Sequence, residues 1–164
     1  MQALLTRLEK WLAKNRPRFL KNLLPGASAA DLAALQNSIG KPVPQQLHDW
    51  LRWHNGQGDD FVGYFENHWL MMCCSKIAAA KTELDQAASD QGWRKNWLPF
   101  LDDDGGNFVC LDLSSKEPAV VVFWMGAAPE NKAPSLEAWL GDMVHALEAG
   151  QYHEDPERGT LNRD

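Results

Sequence analysis

Asp102, Asp103 and Asp104, followed at once by Gly105 and Gly106, are the densest grouping of chemically capable residues in this 164-residue chain. Three carboxylates could hold a metal, move protons or present an acidic tip to a partner. Adjacent residues on a strand or turn diverge, however, so a run of three does not converge on one ion. The run also lacks the spaced oxygens, D-x-[DN]-x-[DN]-G, of a calcium loop. A solvated turn and a partner-binding tip both stand ahead of metal chemistry. Gly105 and Gly106 lie between two strand-like runs, whereas a phosphate-cradling glycine loop opens a helix.

The remaining candidates are thinner. His48 and His54 are six residues apart on a helical stretch, which turns them to different faces and away from a shared metal. Cys73 and Cys74 read as neighbouring strand residues pointing to opposite faces. With Cys110 they make an odd count without framework spacing, which favours a reducing compartment and no disulfide. No C-x-x-C, H-E-x-x-H or G-x-S-x-G pattern occurs. An enzyme reading thus has no nucleophile, metal or cofactor motif behind it, and a hydrolase built on the Asp run is unsupported.

The elements that must position the acidic turn are legible around it. Trp97–Leu113 reads as a strand, a tight turn and a return strand, because Asp bonds nearby backbone and Gly tolerates positive φ. In the return strand Val109, Leu111 and Leu113 share one face, and Phe108 and Cys110 the other. Neither face is polar, as expected of a strand covered on both sides. Ala119–Met125 is β-branched without alternation and forms a third, interior strand.

Upstream, residues 1–24 read as helical, with Leu4, Leu8, Trp11 and Leu12 on one face and Pro17 as a break. Ser28 and Asp31 form a capping-box start for a helix closed by Gly40. Pro44 suits the first position of a third helix carrying Leu47, Trp50, Leu51 and His54. Strands are expected at Phe61–Phe65 and Trp69–Cys73, then a helix capped by Ser75 and running to about Ala87. Gly126–Pro134 reads as a loop. Ser135 caps a last helix with Leu136, Trp139, Leu140, Met143, Val144 and Leu147 on one stripe. The fold class is α+β, a mainly antiparallel sheet with N-terminal helices and a C-terminal helix packed on it.

Composition fits a globular protein, with 45% apolar and 23% charged residues. No apolar run approaches the ~20 residues of a membrane span, and the first residues carry scattered charges unlike a secretory signal. Charge is uneven. Residues 1–58 hold eight Lys and Arg against three Asp and Glu, a balance of +5; residues 59–164 hold eight against nineteen, a balance of −11. So acidic a stretch is a poor general nucleic-acid binder, but it can steer a basic protein partner. Solubility alone explains many of the acids equally well. Eight Trp is a high count. Trp50 belongs to a helix stripe and the core, while Trp53 and Trp93 are candidates for either core or exposed aromatic anchors.

The order of these signals resembles a known family. Pro44 and Trp50-Leu51-Arg52-Trp53-His54-Asn55-Gly56 are similar to the helix-to-"NG" motif of the SUKH superfamily, the Smi- and Knr-type immunity and cell-wall-regulator domain. The likeness continues through Trp97-Leu98-Pro99-Phe100, the Asp/Gly turn, Val109–Leu113 and Ala133-Pro134-Ser135-Leu136-Glu137-Ala138-Trp139-Leu140. It covers about residues 25–152. The WLMMCCSKI segment departs conservatively from a Leu-Leu-Ser-Leu-type strand.

The resemblance implies a non-enzymatic binding domain without a cofactor. In bacteria such domains look like antidotes to a neighbouring toxin, often a nuclease. The expectation is one SUKH-like domain over 1–152 (core about 25–152, helical extension 1–24) and a fraying polar tail at 153–164. It would act in the cytoplasm, bind a cognate toxin, and contact neither nucleic acid nor membrane directly. The candidate surface comprises Asp59, Asp60, Glu66, Asp102, Asp103 and Asp104, with Trp53 or Trp93 as anchor. A regulatory or scaffold domain with an endogenous partner is the alternative.

Overall fold

The computed structural model describes residues 1–155 and 157–164. α1 (Gln2–Asn15) buries Leu5, Leu8 and Leu12, with Leu4 and Trp11 half-buried beside them. Pro17 opens α2 (Pro17–Asn22), so the expected break divides the N-terminal segment into two helices joined at Arg16. α3 (Ala29–Ile39) has the expected capping box: Ser28 Oγ accepts the Asp31 N–H at 3.1 Å, and Asp31 Oδ2 accepts the Ser28 N–H at 2.8 Å. α4 (Gln45–Trp53) buries Leu47, Trp50 and Leu51, with Pro44 one place before its first residue.

The next stretch departs from expectation. Phe61–Phe65 forms no strand, and Trp69–Cys73 contracts to β1 (Leu70–Met71). The backbone of 61–65 is satisfied elsewhere, with Tyr64 N–H donating to Gly159 O and Phe65 N–H to Trp69 O, both at 2.8 Å. α5 (Cys74–Ala87) begins without a cap from Ser75, and Cys73, not a strand residue, holds the N-cap place. The orphan Cys74 N–H is taken by Asn55 Oδ1 at 2.8 Å, nineteen residues away in sequence.

β2 (Trp97–Asp102), β3 (Phe108–Asp112) and β4 (Ala119–Phe123) are the three consecutive antiparallel strands expected of Trp97–Met125. They occupy the middle of a five-stranded sheet of order β1-β2-β3-β4-β5. β5 (Glu130–Ala133) forms inside the region read as a loop, pairing through Val120 with Ala133 and through Val122 with Glu130. Its Glu-Asn-Lys-Ala sequence carries no strand signal; pairing with the edge of β4 specifies it. Both sheet faces are covered. Val109, Leu111, Val120 and Val122 join the main core, while Cys110, Val121 and Phe123 pack with Trp93 and Trp97 on the other side.

α6 (Leu136–Glu148) is capped by Ser135, whose Oγ accepts the Ala138 N–H at 3.1 Å. It lies on the sheet and along α1, where Trp11 Nε1 donates to Leu147 O at 3.1 Å. The polar end, expected to fray, instead contains the hairpin β6 (Tyr152–Asp155) and β7 (Thr160–Arg163). Leu161 anchors it at 1% exposure, and its carbonyl accepts the Asn67 N–H at 2.7 Å.

Two truncations test this packing by urea denaturation. Leu140→Ala should cost about 2–5 kcal/mol, as for a fully buried leucine. Leu161→Ala should cost about 2 kcal/mol or more on the same scale, whereas a fraying tail would leave the midpoint unchanged.

Candidate functional site

The acidic turn between β2 and β3 is built by one of its own aspartates. Asp103 Oδ1 accepts the Gly105 N–H at 2.8 Å and the Asn107 N–H at 3.0 Å, while Oδ2 takes Asn107 Nδ2 at 2.6 Å. Asp103 therefore closes the loop and has little left to offer a partner. Asn107 Oδ1 accepts the Met125 N–H at 2.9 Å, tying this turn to the end of β4. Asp104 sits at φ +56° and is exposed, facing solvent.

Asp102 is half-buried, and its Oδ1 accepts the Asp104 N–H at 3.3 Å. Burial raises its carboxyl to about pH 6; the Asp104 N–H and Lys76 oppose the rise, and the Asp104 and Asp103 carboxylates add to it. Asp102 and Asp104 form the rim of a groove of about 550 Å³ between the turn and α5. Its floor and walls include Ala79, Ala80, Glu83, Leu84, Phe108 and Met125. A recess of about 120 Å³ adjoins it, lined by Asp59, Phe61, Lys76, Asp102 and Asp104. Lys76 Nζ lies 3.8 Å from Asp59 Oδ1.

Three of the six expected acids thus share one locality: Asp59, Asp102 and Asp104. Asp60, next to Asp59, is exposed. Glu66 does not belong to this surface. It is 4% exposed, accepts the Tyr152 hydroxyl at 3.0 Å and lies 3.7 Å from Lys132 Nζ, so it braces the terminal hairpin and β5. Of the two tryptophans left open between core and exposed anchor, Trp93 lies in the core and Trp53 stays partly exposed. Trp93 is 6% exposed, donates through Nε1 to Asp85 at 2.8 Å and meets Trp97 and Phe123 edge-on. Trp53 is half-buried on Trp50 and donates to Glu9 Oε2 at 2.6 Å, a contact between α4 and α1.

The exposed apolar side chains near the acids are others. Phe61 is 60% exposed and Met125 50% exposed. Sequence reasoning assigned both to strands, and the available signal was only an aromatic directly after Asp59-Asp60 in a glycine-containing loop. Among the described residues no group of three or more His, Cys, Asp or Glu side chains is placed to hold a metal ion. No helix of the described residues is long and apolar enough to cross a membrane.

The residues of the helix-to-"NG" motif lie elsewhere, and they are structural. Trp50 and Leu51 are fully buried, Asn55 caps α5, and Gly56 adopts φ +82° where an added Cβ would stand 2.6 Å from Cys73 N. The family model described as SMI1/KNR4 (SUKH-1) matches residues 26–142. The chain belongs to the SUKH family. Its domains are commonly immunity proteins of polymorphic toxin systems and are in general non-catalytic. A comparison with curated proteins finds no match. In this SUKH chain the helix-to-"NG" motif holds the fold, and of the family likeness the Asp/Gly turn contributes to the groove.

Asp102 gives this site a pH signature. Its folded-state carboxyl titrates near 6 and its ordinary value is 3.8, so the folded protein binds the extra proton between those limits. Stability carried by this residue therefore falls as pH rises from about 4 to 6 and stays lost above. Asp102→Asn should raise the melting temperature at pH 7, with a smaller difference from wild type at about pH 4. Equal differences at both pH values would show that the carboxyl is not held up by burial.

Proposed function

We propose that this SUKH protein is an antidote that binds one copy of a bacterial toxin and neutralises it by occlusion in the cytoplasm. The observation that carries the proposal is membership of the family, over residues 26–142. The groove supports it by offering exposed apolar side chains, Phe61 and Met125, beside the exposed acids Asp59, Asp60 and Asp104. That pairing suits a desolvated anchor surrounded by charges that steer a basic partner. A toxin that attacks nucleic acid needs cations to hold phosphates, and an acidic antidote can cover such a surface. Asp103 is left out of the contact set because its oxygens are committed to the turn.

Co-expression with a toxin encoded beside this gene should restore growth, and the purified pair should form a one-to-one complex. Charge reversal at Asp59, Asp60 and Asp104 together should slow association about tenfold at low salt and flatten its salt dependence. Phe61→Ala should act on dissociation instead. Unchanged association in the reversed protein would remove the acidic surface from the interface. Failure of the wild-type protein to bind or protect against any neighbouring toxin would overturn the antidote reading in favour of a regulatory or scaffold domain.

A further inference from the structure

We infer that the groove between α5 and the β2–β3 turn receives a basic amphipathic helix of the partner, its apolar side on the groove floor and its Arg or Lys side chains at the acidic rim. The inference rests on the protein-binding reading above and names what that site recognises. The floor is the first argument. Ala79, Ala80, Ala87 and Ala88 present small side chains that let another backbone come close, while Leu84, Phe108 and Met125 supply apolar contact. A groove of about 550 Å³ is large enough for several side chains, and half of Met125 remains exposed at its mouth. Methionine adapts its shape to an incoming apolar face.

The charge distribution decides the sign of the partner. Glu83, Asp102 and Asp104 line the groove, and Asp59 lies in the adjoining recess. Among the described residues Lys76 is the one cation lining either cavity, and Asp59 is already beside it. An anionic segment would meet four carboxylates, whereas a cationic one exchanges solvent for them. Long Arg and Lys stems can also lie on apolar surface while their heads reach the rim.

The same geometry links binding to pH. Asp102 faces Asp103 and Asp104 on its own turn and Lys76 on α5, and shares its cavities with Asp59 on the preceding loop and Glu83 on α5. A cation at the rim favours ionised Asp102, so affinity rises as pH climbs through about 6 and levels off above.

The test uses the full chain and a synthetic helical peptide with leucine on one face and arginine on the other. Calorimetry should give saturable one-to-one binding at pH 7 that weakens about two- to fivefold at pH 5, where roughly nine-tenths of Asp102 is protonated and the other rim carboxylates remain. Ala79→Trp, an exposed position whose new ring fills the groove, and Met125→Ser should each weaken it at least about fivefold with unchanged circular dichroism. A peptide with glutamate in place of arginine should not bind. Equal binding of both peptides, indifference to both variants, or peptide-free self-association through this face would overturn the inference. If toxin protection survives Ala79→Trp, the groove proposal fails and the antidote reading stands. If the peptide behaves as stated but no neighbouring toxin is bound, the antidote reading fails and the groove stands.

Discussion

The short segment Asn55–Gly58 is the constraint on which this structure depends, because four backbone hydrogen bonds tie it to residues 22–25 and to β1. Gly56 O accepts the Leu24 N–H at 3.0 Å, and the Asn55 N–H reaches Pro25 O at 3.2 Å. Gln57 pairs with Met71 in both directions, main chain to main chain at 3.2 Å and side chain to main chain at 3.1 Å. The Gly58 N–H reaches Asn22 O at 2.7 Å. Asn55 then caps α5, so the position of that helix is set by a side chain from the end of α4. Any Cβ at Gly56 would press on Cys73, where the main chain cannot yield cheaply. One wall of the groove is α5. The junction is therefore what sets the groove beside the sheet.

Around this junction the core is aromatic and layered. Trp50 meets Phe65 at 5.4 Å and Phe100 at 6.3 Å, both edge-on, and Trp139 closes on Phe100 at 5.8 Å. These rings join α4, α6 and β2 on one face of the sheet. Arg16 secures the far end, buried at the α1–α2 break, with Nε on Glu154 at 2.9 Å and Nη1 on Tyr64 O at 2.8 Å. Burial lowers its pKa and Glu154 opposes that; the guanidinium keeps its charge, and these partners occupy its donors in the interior. The result is a rigid scaffold on which the β2–β3 turn and the 58–63 loop project together.

The sequence was most informative where one element carries its own signals. The Ser28 capping box, the stripe of α6 and the three central strands follow from local pattern and fall where pattern puts them. It failed where a distant partner supplies the specification. The α5 cap comes from Asn55, β5 exists because β4 offers an edge, and the terminal hairpin is held by Leu161 and Glu66. The candidate surface divides the same way. Asp59, Asp102 and Asp104 were legible as candidate partner-binding acids, but their meeting around Lys76 and the partial burial of Asp102 needed the tertiary fold. Glu66 was misplaced and Trp93 left undecided because composition cannot say that Tyr152 or Asp85 waits beside them in the interior.

The central claim is that partner recognition occurs at the cleft formed by α5, the β2–β3 turn and the 58–63 loop. Hydrogen exchange of this protein, free and bound to the toxin encoded beside it, addresses that claim most directly. Slowed exchange at residues 58–63 and 103–107, with α1 and the β6–β7 hairpin unchanged, is the predicted pattern. Protection confined to α1, α6 or the terminal hairpin, with the two loops exchanging as in the free protein, would contradict it.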